Sequence, residues 1–211
     1  MKRVTKIVET KHRPNRRSVY LDGVLAFSCN VNVVARFRLR EGLSLTDEQV
    51  QEVLHGQVRQ ECLDKAIQLL EGRLHSRAEL FTKLIRQKYG EPIVNGVLDD
   101  LGRLGYVNDE QFARTKALSA AQHKQHGRER AMAELLKSGI ADGVARQALD
   151  DVYDTADSTA IARQLVRKKA PALRKLDPVV ARRRLVGMLQ RRGFEYEAIK
   201  PIVDEALGDA E

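Results

Sequence analysis

The sequence predicts a mainly α-helical fold: a tandem array of three three-helix repeats, preceded by a small N-terminal antiparallel β-hairpin or sheet and a short helical segment. The first observation is an apolar pattern at i, i+1, i+4, i+5 and i+8, which lines one side of a helix and occurs three times. The second is a run of alternating β-branched residues near the N-terminus, followed by Asp22-Gly23. The three copies of the pattern are Ile93, Val94, Val97, Leu98 and Leu101; Val144, Ala145, Ala148, Leu149 and Val152; and Ala198, Ile199, Ile202, Val203 and Ala206.

The similarity between the copies extends beyond the apolar pattern. A leucine, an arginine and a pair of carboxylates recur at equivalent places in each copy. Each unit must bury its apolar face on itself or on its neighbour, so we expect an elongated array whose long surface binds another macromolecule. The equivalent residues are Leu84, Leu135 and Leu189; Arg77, Arg128 and Arg182; and the pairs Asp99-Asp100, Asp150-Asp151 and Asp204-Glu205.

The N-terminal elements follow from local patterns. Alternation over residues 4–9 predicts a strand, residues 13–16 (RPNR) predict a turn or loop, and Asp22-Gly23 between apolar runs predicts a hairpin. A helix is expected over residues 30–40, stopped by Gly42. A capping box at residues 46–49 opens a second helix that we expect to run to about residue 55.

The three repeats follow, each with three helices. Glycines and Asp-Pro or Glu-Pro pairs mark most of the helix boundaries. The resulting domains are 1–58 for the N-terminal segment, 59–107 for repeat 1, 108–155 for repeat 2 and 156–211 for repeat 3. The expected helices are 61–71, one from the capping box at 76–79, and one from Pro92 in repeat 1; 109–125, 128–138 and 143–153 in repeat 2; and 158–169, one from Pro178 to Gly193, and 196–207 in repeat 3.

The chain is basic, and its charge is concentrated at its two ends. It carries 37 Lys and Arg against 29 Asp and Glu, a formal net charge of +8. Residues 1–60 carry +5 and residues 157–211 carry +4, whereas the middle of the chain is close to neutral. This balance favours a polyanionic partner, with DNA or RNA ahead of a membrane surface.

Several classes of function are disfavoured by what the sequence lacks. Cys29 and Cys62 have no CxxC motif or nearby histidine at ligand spacing, which favours two reduced core cysteines in a cytoplasmic protein. No signal peptide and no apolar run of about 20 residues is present, so we expect a soluble protein without membrane contact. No Walker pattern is present, and no cofactor is expected. Aromatic residues make up only 5% of the chain and Trp is absent, which suits helical bundles better than a deep ligand pocket.

Two groups of polar residues are of the types found in catalytic and metal sites, but their spacing does not favour either role. The repeated carboxylate pairs are adjacent on a helix and point about 100° apart, which suits surface or inter-helix contacts better than catalysis or a metal site. His123 and His126 lie three apart, but no further metal ligands are evident. The glycines at 90, 105, 139 and 193 are interpreted as helix stops.

Five short motifs, in order along nearly the whole chain, resemble those of the RecX family. Each motif is weak alone, and their order and spacing together carry the resemblance. One departure is His75, where the family often has Arg. The motifs are residues 20–23 (YLDG) with 26–27 (AF), 75–80 (HSRAEL), 104–113 (LGYVNDEQFA), 127–128 (GR) and 135–140 (LLKSGI).

This resemblance implies a modulator of the RecA recombinase. RecX-like proteins bind the filament of RecA on single-stranded DNA, block its extension or favour its disassembly, and so inhibit ATP hydrolysis, strand exchange and co-protease activity. The implied partners are the RecA filament and DNA, single-stranded first and double-stranded second. The protein is expected to be non-enzymatic. It is also expected to be a monomer, because no apolar stripe is left over for self-association.

Two clusters of cations are the candidate binding residues for DNA or a protein partner. In repeat 3, few carboxylates interrupt the run, and Arg184 and Arg191 project within about 20° of each other on an ideal helix. An ordinary solvated face is the alternative for this cluster, and edge-strand charges that prevent aggregation are the alternative for the N-terminal one. The candidates are Arg167, Lys168, Lys169, Arg174, Lys175, Arg183, Arg184, Arg191 and Arg192 in repeat 3, and Lys11, Arg13, Arg16 and Arg17 near the N-terminus.

Two other functions remain open at this point. A general DNA-binding protein of the helix-turn-helix type would place the helix containing residues 182–192 in a groove of the duplex. A hydrolase or nuclease would need a convergent set of His, carboxylate or Cys residues, and the sequence does not provide one.

Overall fold

The computed structural model describes residues 1–10, 13–153, 155–173 and 175–208. It confirms the predicted fold class, a small antiparallel sheet followed by helices. The strands are β1 (Lys2–Thr10), β2 (Arg13–Leu21), β3 (Val24–Asn30) and β4 (Ser44–Leu45), and the helices are α1 (Val31–Arg36), α2 (Asp47–Gly72), α3 (Arg77–Arg86), α4 (Glu91–Arg103), α5 (Asp109–Gln122), α6 (Arg128–Lys137), α7 (Asp142–Val152), α8 (Thr155–Leu173), α9 (Pro178–Arg191) and α10 (Tyr196–Leu207).

The chain divides into two compact units. The first contains Met1–Arg73 and Leu80–Tyr106, and the second contains Leu74–Glu79 together with the chain from Val107 onward. Repeats 2 and 3 therefore belong to one unit. The sheet, with the strand order β3-β2-β1-β4, belongs to the other.

The sheet is built around the predicted hairpin, and one predicted loop beside it is wrong. Asp22 and Gly23 both have positive φ, 50° and 83°, as the tightest hairpin turns require. The segment 13–16 is strand rather than loop, because Arg13 pairs with Thr10 and Arg16 pairs with Asn30. Pairing of β2 on both sides thus overrides the local turn preference of the RPNR sequence.

The helix after the sheet is shorter than predicted. Asn30 caps α1 by accepting a hydrogen bond from the Asn32 amide at 2.9 Å. The helix ends at Arg36 rather than near residue 40, and Arg38 has φ of 50°. The Leu39 amide donates back to the Val34 carbonyl at 2.9 Å, and the Leu39 side chain is buried in the core of the sheet. This burial pulls the chain out of the helix early.

Helix α2 runs without a break, so the predicted gap between helices at 46–55 and 61–71 is wrong. The Thr46 capping box is confirmed at its start. Gly56 does not stop the helix: a Cβ there would lie 2.4 Å from Cε2 of Phe37, so the glycine makes room for that ring. The predicted boundary between residues 58 and 59 therefore lies inside a continuous helix.

The repeated apolar pattern forms the cores, although its outermost positions lie at the edges. Val94, Ala145 and Ile199 are fully buried at equivalent positions, whereas Ala198 is exposed. Not every apolar residue of these helices is buried: Ile67 of α2 and Ile85 of α3 are exposed. The buried side of α2 is instead formed by Val53, Gln57, Cys62 and Ala66.

In the second unit, helices of repeats 2 and 3 meet through a backbone contact at two glycines. The Gly127 amide donates to the Arg192 carbonyl at 2.7 Å, and the Glu129 amide donates to the Gly193 carbonyl at 3.3 Å. A Cβ on Gly127 would lie 2.2 Å from the Gly193 carbonyl oxygen, and one on Gly193 would lie 2.3 Å from the Arg130 nitrogen. We call this contact the glycine joint. It requires glycine at both positions.

A related contact occurs earlier in the same unit. The Ser76 hydroxyl donates to the Ser138 carbonyl at 2.6 Å and accepts from the Glu79 amide at 3.0 Å. A Cβ on Gly139 would lie 2.2 Å from Cβ of Ala78. Gly139 and Gly193 are equivalent in the repeat, so each is both a helix stop, as predicted, and a contact point.

We expect Gly127→Ala to lower the free energy of unfolding of the whole chain by about 1–3 kcal/mol, the usual cost of an added methylene in a packed site. The backbone φ of Gly127 is −73°, so the effect is steric and not conformational. Urea denaturation followed by circular dichroism measures it. The matched control is Gly143→Ala, where a Cβ would have no atom within 4 Å. Equal stability of the two variants would contradict the joint as described.

Candidate nucleic-acid and partner interface

The cations of repeat 3 divide into exposed side chains and structural ones. Within the described residues, the exposed group makes no ion pair in the structure. Arg182 differs, because its guanidinium pairs with Asp204 of α10. The exposed group is Arg167, Lys168 and Lys169 on α8, Lys175 after it, and Arg183, Arg184 and Arg191 on α9. Arg174 lies outside the described residues.

Arg192 is a structural residue of the glycine joint. Its Nη1 donates to the Lys124 carbonyl at 2.9 Å and to the Gln125 carbonyl at 3.3 Å. It is half-buried, and its charge is directed at the turn between α5 and α6. Of the predicted binding residues in repeat 3 that the structure describes, Arg192 is the one whose guanidinium is bound within the fold.

Four of the exposed cations surround a groove between α8 and α9. Its floor is formed by the half-buried Leu173, Gly187 and Met188, and the exposed Ala172 also lines it. Its rim is formed by Lys169, Arg183, Arg184 and Arg191. We call it the α8–α9 groove. The sequence indicated the rim but not the floor. The signal for the floor is Gly187, a glycine in the middle of a long helix.

The N-terminal cations that the structure describes lie on β2, and two of them are bound within the first unit. Arg16 donates to the Glu61 carboxylate at 2.9 Å and to the Ser28 carbonyl at 2.9 Å, and so ties the sheet to α2. Arg17 donates to the Pro14 carbonyl at 2.7 Å and lies 3.7 Å from the Glu9 carboxylate. Arg13 is exposed. Lys11 lies outside the described residues.

The repeated carboxylates hold helices together. Asp150 of α7 pairs with Arg128 of α6, and Asp204 pairs with Arg182 in the equivalent place of repeat 3. In the first unit, hydrogen bonds from Arg59 and then Arg103 lower the pKa of Asp100 below its usual value. Among the described residues, no three His, Cys, Asp or Glu side chains converge in a way that could hold a metal ion.

The two cysteines are buried and free. Burial raises the pKa of the Cys29 thiol and of the Cys62 thiol to about 11. Both thiols are therefore protonated at neutral pH, and neither has the character of a nucleophile. The prediction that they fill the core is confirmed.

His126 lies beside the glycine joint in an unusual environment. Its side chain is 13% exposed, and Nδ1 lies 3.1 Å from Oε1 of Glu134 but has no hydrogen-bond partner. Burial and then the Arg130 guanidinium lower the pKa of His126, with smaller lowering effects from Lys124 and Arg192; Glu134 opposes them. The fold therefore favours the neutral imidazole.

Comparison with known proteins identifies the family. Three family models match: the RecX N-terminal domain over residues 2–46, the first RecX three-helix domain over 62–101 and the third over 156–203. Regulatory protein RecX of Chlorobaculum tepidum is 32% identical over 70% of this chain and 89% of its own length. The chain belongs to the RecX family.

Further relatives agree with this assignment. Regulatory protein RecX of Bacillus subtilis is 27% identical over 96% of this chain and 76% of its own length. A crystal structure of a regulatory protein RecX superposes with a TM-score of 0.81 at 20% identity, covering 97% of this chain and 100% of the other, which shows a shared fold. Among the described residues of this RecX-family chain, no helix combines the length and the hydropathy that a membrane span requires.

We expect His126 to make stability fall on acidification. Its pKa is lower in the folded chain than the value of about 6.5 in an unfolded chain, so the unfolded state binds the proton first as the pH falls. Above pH of about 7.5 both states are neutral, and the contribution is absent. His126→Gln removes the titration, so the loss of unfolding free energy between pH of about 7.5 and 5.5 becomes smaller.

The measurement is a series of urea unfolding curves across that pH range. The control is His123→Gln, which removes a histidine just upstream while keeping His126. If the His126→Gln variant keeps the full pH dependence of the natural chain, the environment described for His126 is not the cause.

Proposed function

We propose that this RecX-family protein is a non-enzymatic, cytoplasmic regulator that binds the filament formed by RecA on single-stranded DNA. It blocks extension of the filament or promotes its disassembly. As a result it lowers RecA ATP hydrolysis, strand exchange and co-protease activity. The proposal extends the family assignment, since the relatives carry the name of regulatory proteins. The protein acts as a monomer and needs no cofactor.

The observation that carries the DNA part of the proposal is the set of exposed cations in repeat 3. Arg183, Arg184 and Arg191 lie on one helix, and no carboxylate among the described residues pairs with them. Guanidinium groups in such a set bind phosphates and release counterions from the nucleic acid. Lys169 faces the same groove from α8, and Arg167, Lys168 and Lys175 are further exposed cations of repeat 3. We place Arg174 with them by sequence.

The N-terminal cations have a smaller part in this proposal. Arg16 and Arg17 already satisfy carboxylates and carbonyls of their own unit. Arg13, and Lys11 by sequence, are the members that we propose for contact with the partner. Arg192 contributes indirectly, because its guanidinium holds the turn between α5 and α6.

Binding regulates the filament only if the protein prefers one of its states. A ligand shifts an equilibrium by the difference in its affinity for the two states, and equal affinity shifts nothing. We propose that the neutral part of the chain contacts RecA, while the basic third repeat contacts DNA. Contacts to both components select a filament geometry that cannot extend.

We expect the ATP hydrolysis rate of preformed RecA filaments on single-stranded DNA to fall as the protein is titrated in. The inhibition should appear at less than one protein per RecA and should persist when free competitor DNA is added. Inhibition that disappears in proportion to the competitor would mean that the protein only sequesters DNA. That result would favour the general DNA-binding function, especially with a strong preference for one duplex sequence.

We also expect the double variant Arg183→Gln, Arg184→Gln to bind single-stranded DNA about ten-fold more weakly. Each lost phosphate contact reduces the slope of log K against log salt by about 0.7 on a single strand, so the slope should fall by about 1.4. The matched control is Lys137→Gln, Lys200→Gln, which removes two exposed charges elsewhere in the same unit. Equal losses in both double variants would show a general charge effect rather than a site.

A further inference from the structure

The α8–α9 groove combines an apolar floor with a rim of cations. Leu173, Gly187 and Met188 are half-buried, and the groove has a volume of about 630 Å³, within the range of pockets that hold small organic groups. The rim charges come from both helices, with Lys169 on one side and three arginines on the other. A ligand in the groove would meet apolar surface below and positive charge around it.

The charge of this groove differs from that of its neighbours. Among the described residues, no carboxylate lines it. The groove on the other side of α8 includes Glu205 beside Arg163 and Arg167. The cleft near the glycine joint includes Asp150 and Glu195 beside Arg128. A uniformly cationic rim therefore distinguishes the α8–α9 groove and points to an anionic ligand with an apolar part.

Gly187 gives the second indication. Glycine is among the least favourable residues in the interior of a helix. Packing does not require it here: a Cβ would meet only Nη1 of Arg191 at 3.3 Å, the end of a flexible side chain. Gly127 and Gly193 are different, because a Cβ at either would overlap backbone atoms. The effect of glycine at position 187 is to leave bare backbone at the floor of the groove.

Building on the proposed function, we propose that the α8–α9 groove holds an unpaired base of a single-stranded nucleic acid. The base lies on Leu173, Met188 and the backbone at Gly187. The adjacent phosphates bind Arg183, Arg184 and Arg191, and Lys169 binds from the opposite helix. Among the described residues, no aromatic side chain lines the groove. Contact is therefore with the face of the base and with guanidinium planes, and it tolerates any sequence.

The geometry favours a nucleotide over an acidic peptide. The apolar floor is short, and cations flank it on both sides. A nucleotide chain places phosphates on either side of each base, which matches this arrangement. An amphipathic helix would need a longer apolar stripe to fill the groove. A DNA duplex keeps its bases stacked inside, so it can contact the rim through phosphates but leaves the floor empty.

The test is Gly187→Leu, which fills the floor and keeps all four cations and the net charge. We expect its affinity for a fluorescent oligothymidylate to fall about ten-fold, because the leucine side chain occupies the space of the base and removes its apolar contact with Leu173 and Met188. The affinity for a duplex of the same length should change by less than about two-fold at the same salt concentration. The double variant Arg183→Gln, Arg184→Gln should lower the affinity for both the single strand and the duplex.

The matched control is Gly96→Leu in the middle of α4, where a Cβ has no atom within 4 Å. It should leave both affinities unchanged, and circular dichroism checks that each variant keeps its helix content. Equal loss for single strand and duplex, or no loss for either, would overturn the base site. Loss of RecA inhibition with unchanged oligonucleotide affinity would also overturn it and would indicate a protein segment in the groove.

These outcomes are separate from the proposed function. That proposal fails if the natural chain does not inhibit preformed RecA filaments, whatever the oligonucleotides show. The base site fails if the natural chain inhibits the filament but Gly187→Leu does not separate single strand from duplex.

Discussion

Repeats 2 and 3 are held together at a point where two backbones approach within hydrogen-bonding distance. The Gly127 amide donates to the Arg192 carbonyl at 2.7 Å, and neither Gly127 nor Gly193 has room for a side chain. Around this contact, Arg130 donates to the Arg191 carbonyl at 2.7 Å and Arg192 donates back to the turn after α5. Each side thus satisfies carbonyl groups that the other leaves free at a helix end.

Neighbouring arginines on α9 and just after it have different roles. Arg182 pairs with Asp204, and Arg192 donates to backbone carbonyls. Arg183, Arg184 and Arg191 face solvent. Successive residues on a helix point about 100° apart, so a run of arginines is divided by angle into structural and exposed members. A count of all the arginines therefore overestimates the positive surface that a polyanion can contact.

Predictions from the sequence are correct where the deciding interaction joins residues that are close in the chain. The apolar pattern around Val94 and its equivalents is buried, the turn at Asp22-Gly23 forms, and Thr46 caps its helix. The errors arise from contacts distant in sequence. Gly56 accommodates the ring of Phe37 instead of ending α2, and strand pairing extends β2 through RPNR. For the same reason the cations of the groove could be predicted from the sequence but its floor could not, because the floor forms only where α8 lies against α9.

The joint also fixes the backbone beneath one end of the groove. Arg191 contributes its side chain to the rim, while its carbonyl is held by Arg130, and the next residue is anchored through its guanidinium. A ligand in the groove therefore meets a backbone that is already ordered, and only the exposed side chains lose freedom on binding. Ordering a flexible ligand or a flexible part of the protein costs free energy and lowers the affinity. A single strand loses freedom when it binds, so an ordered floor in the groove keeps the total cost of binding smaller.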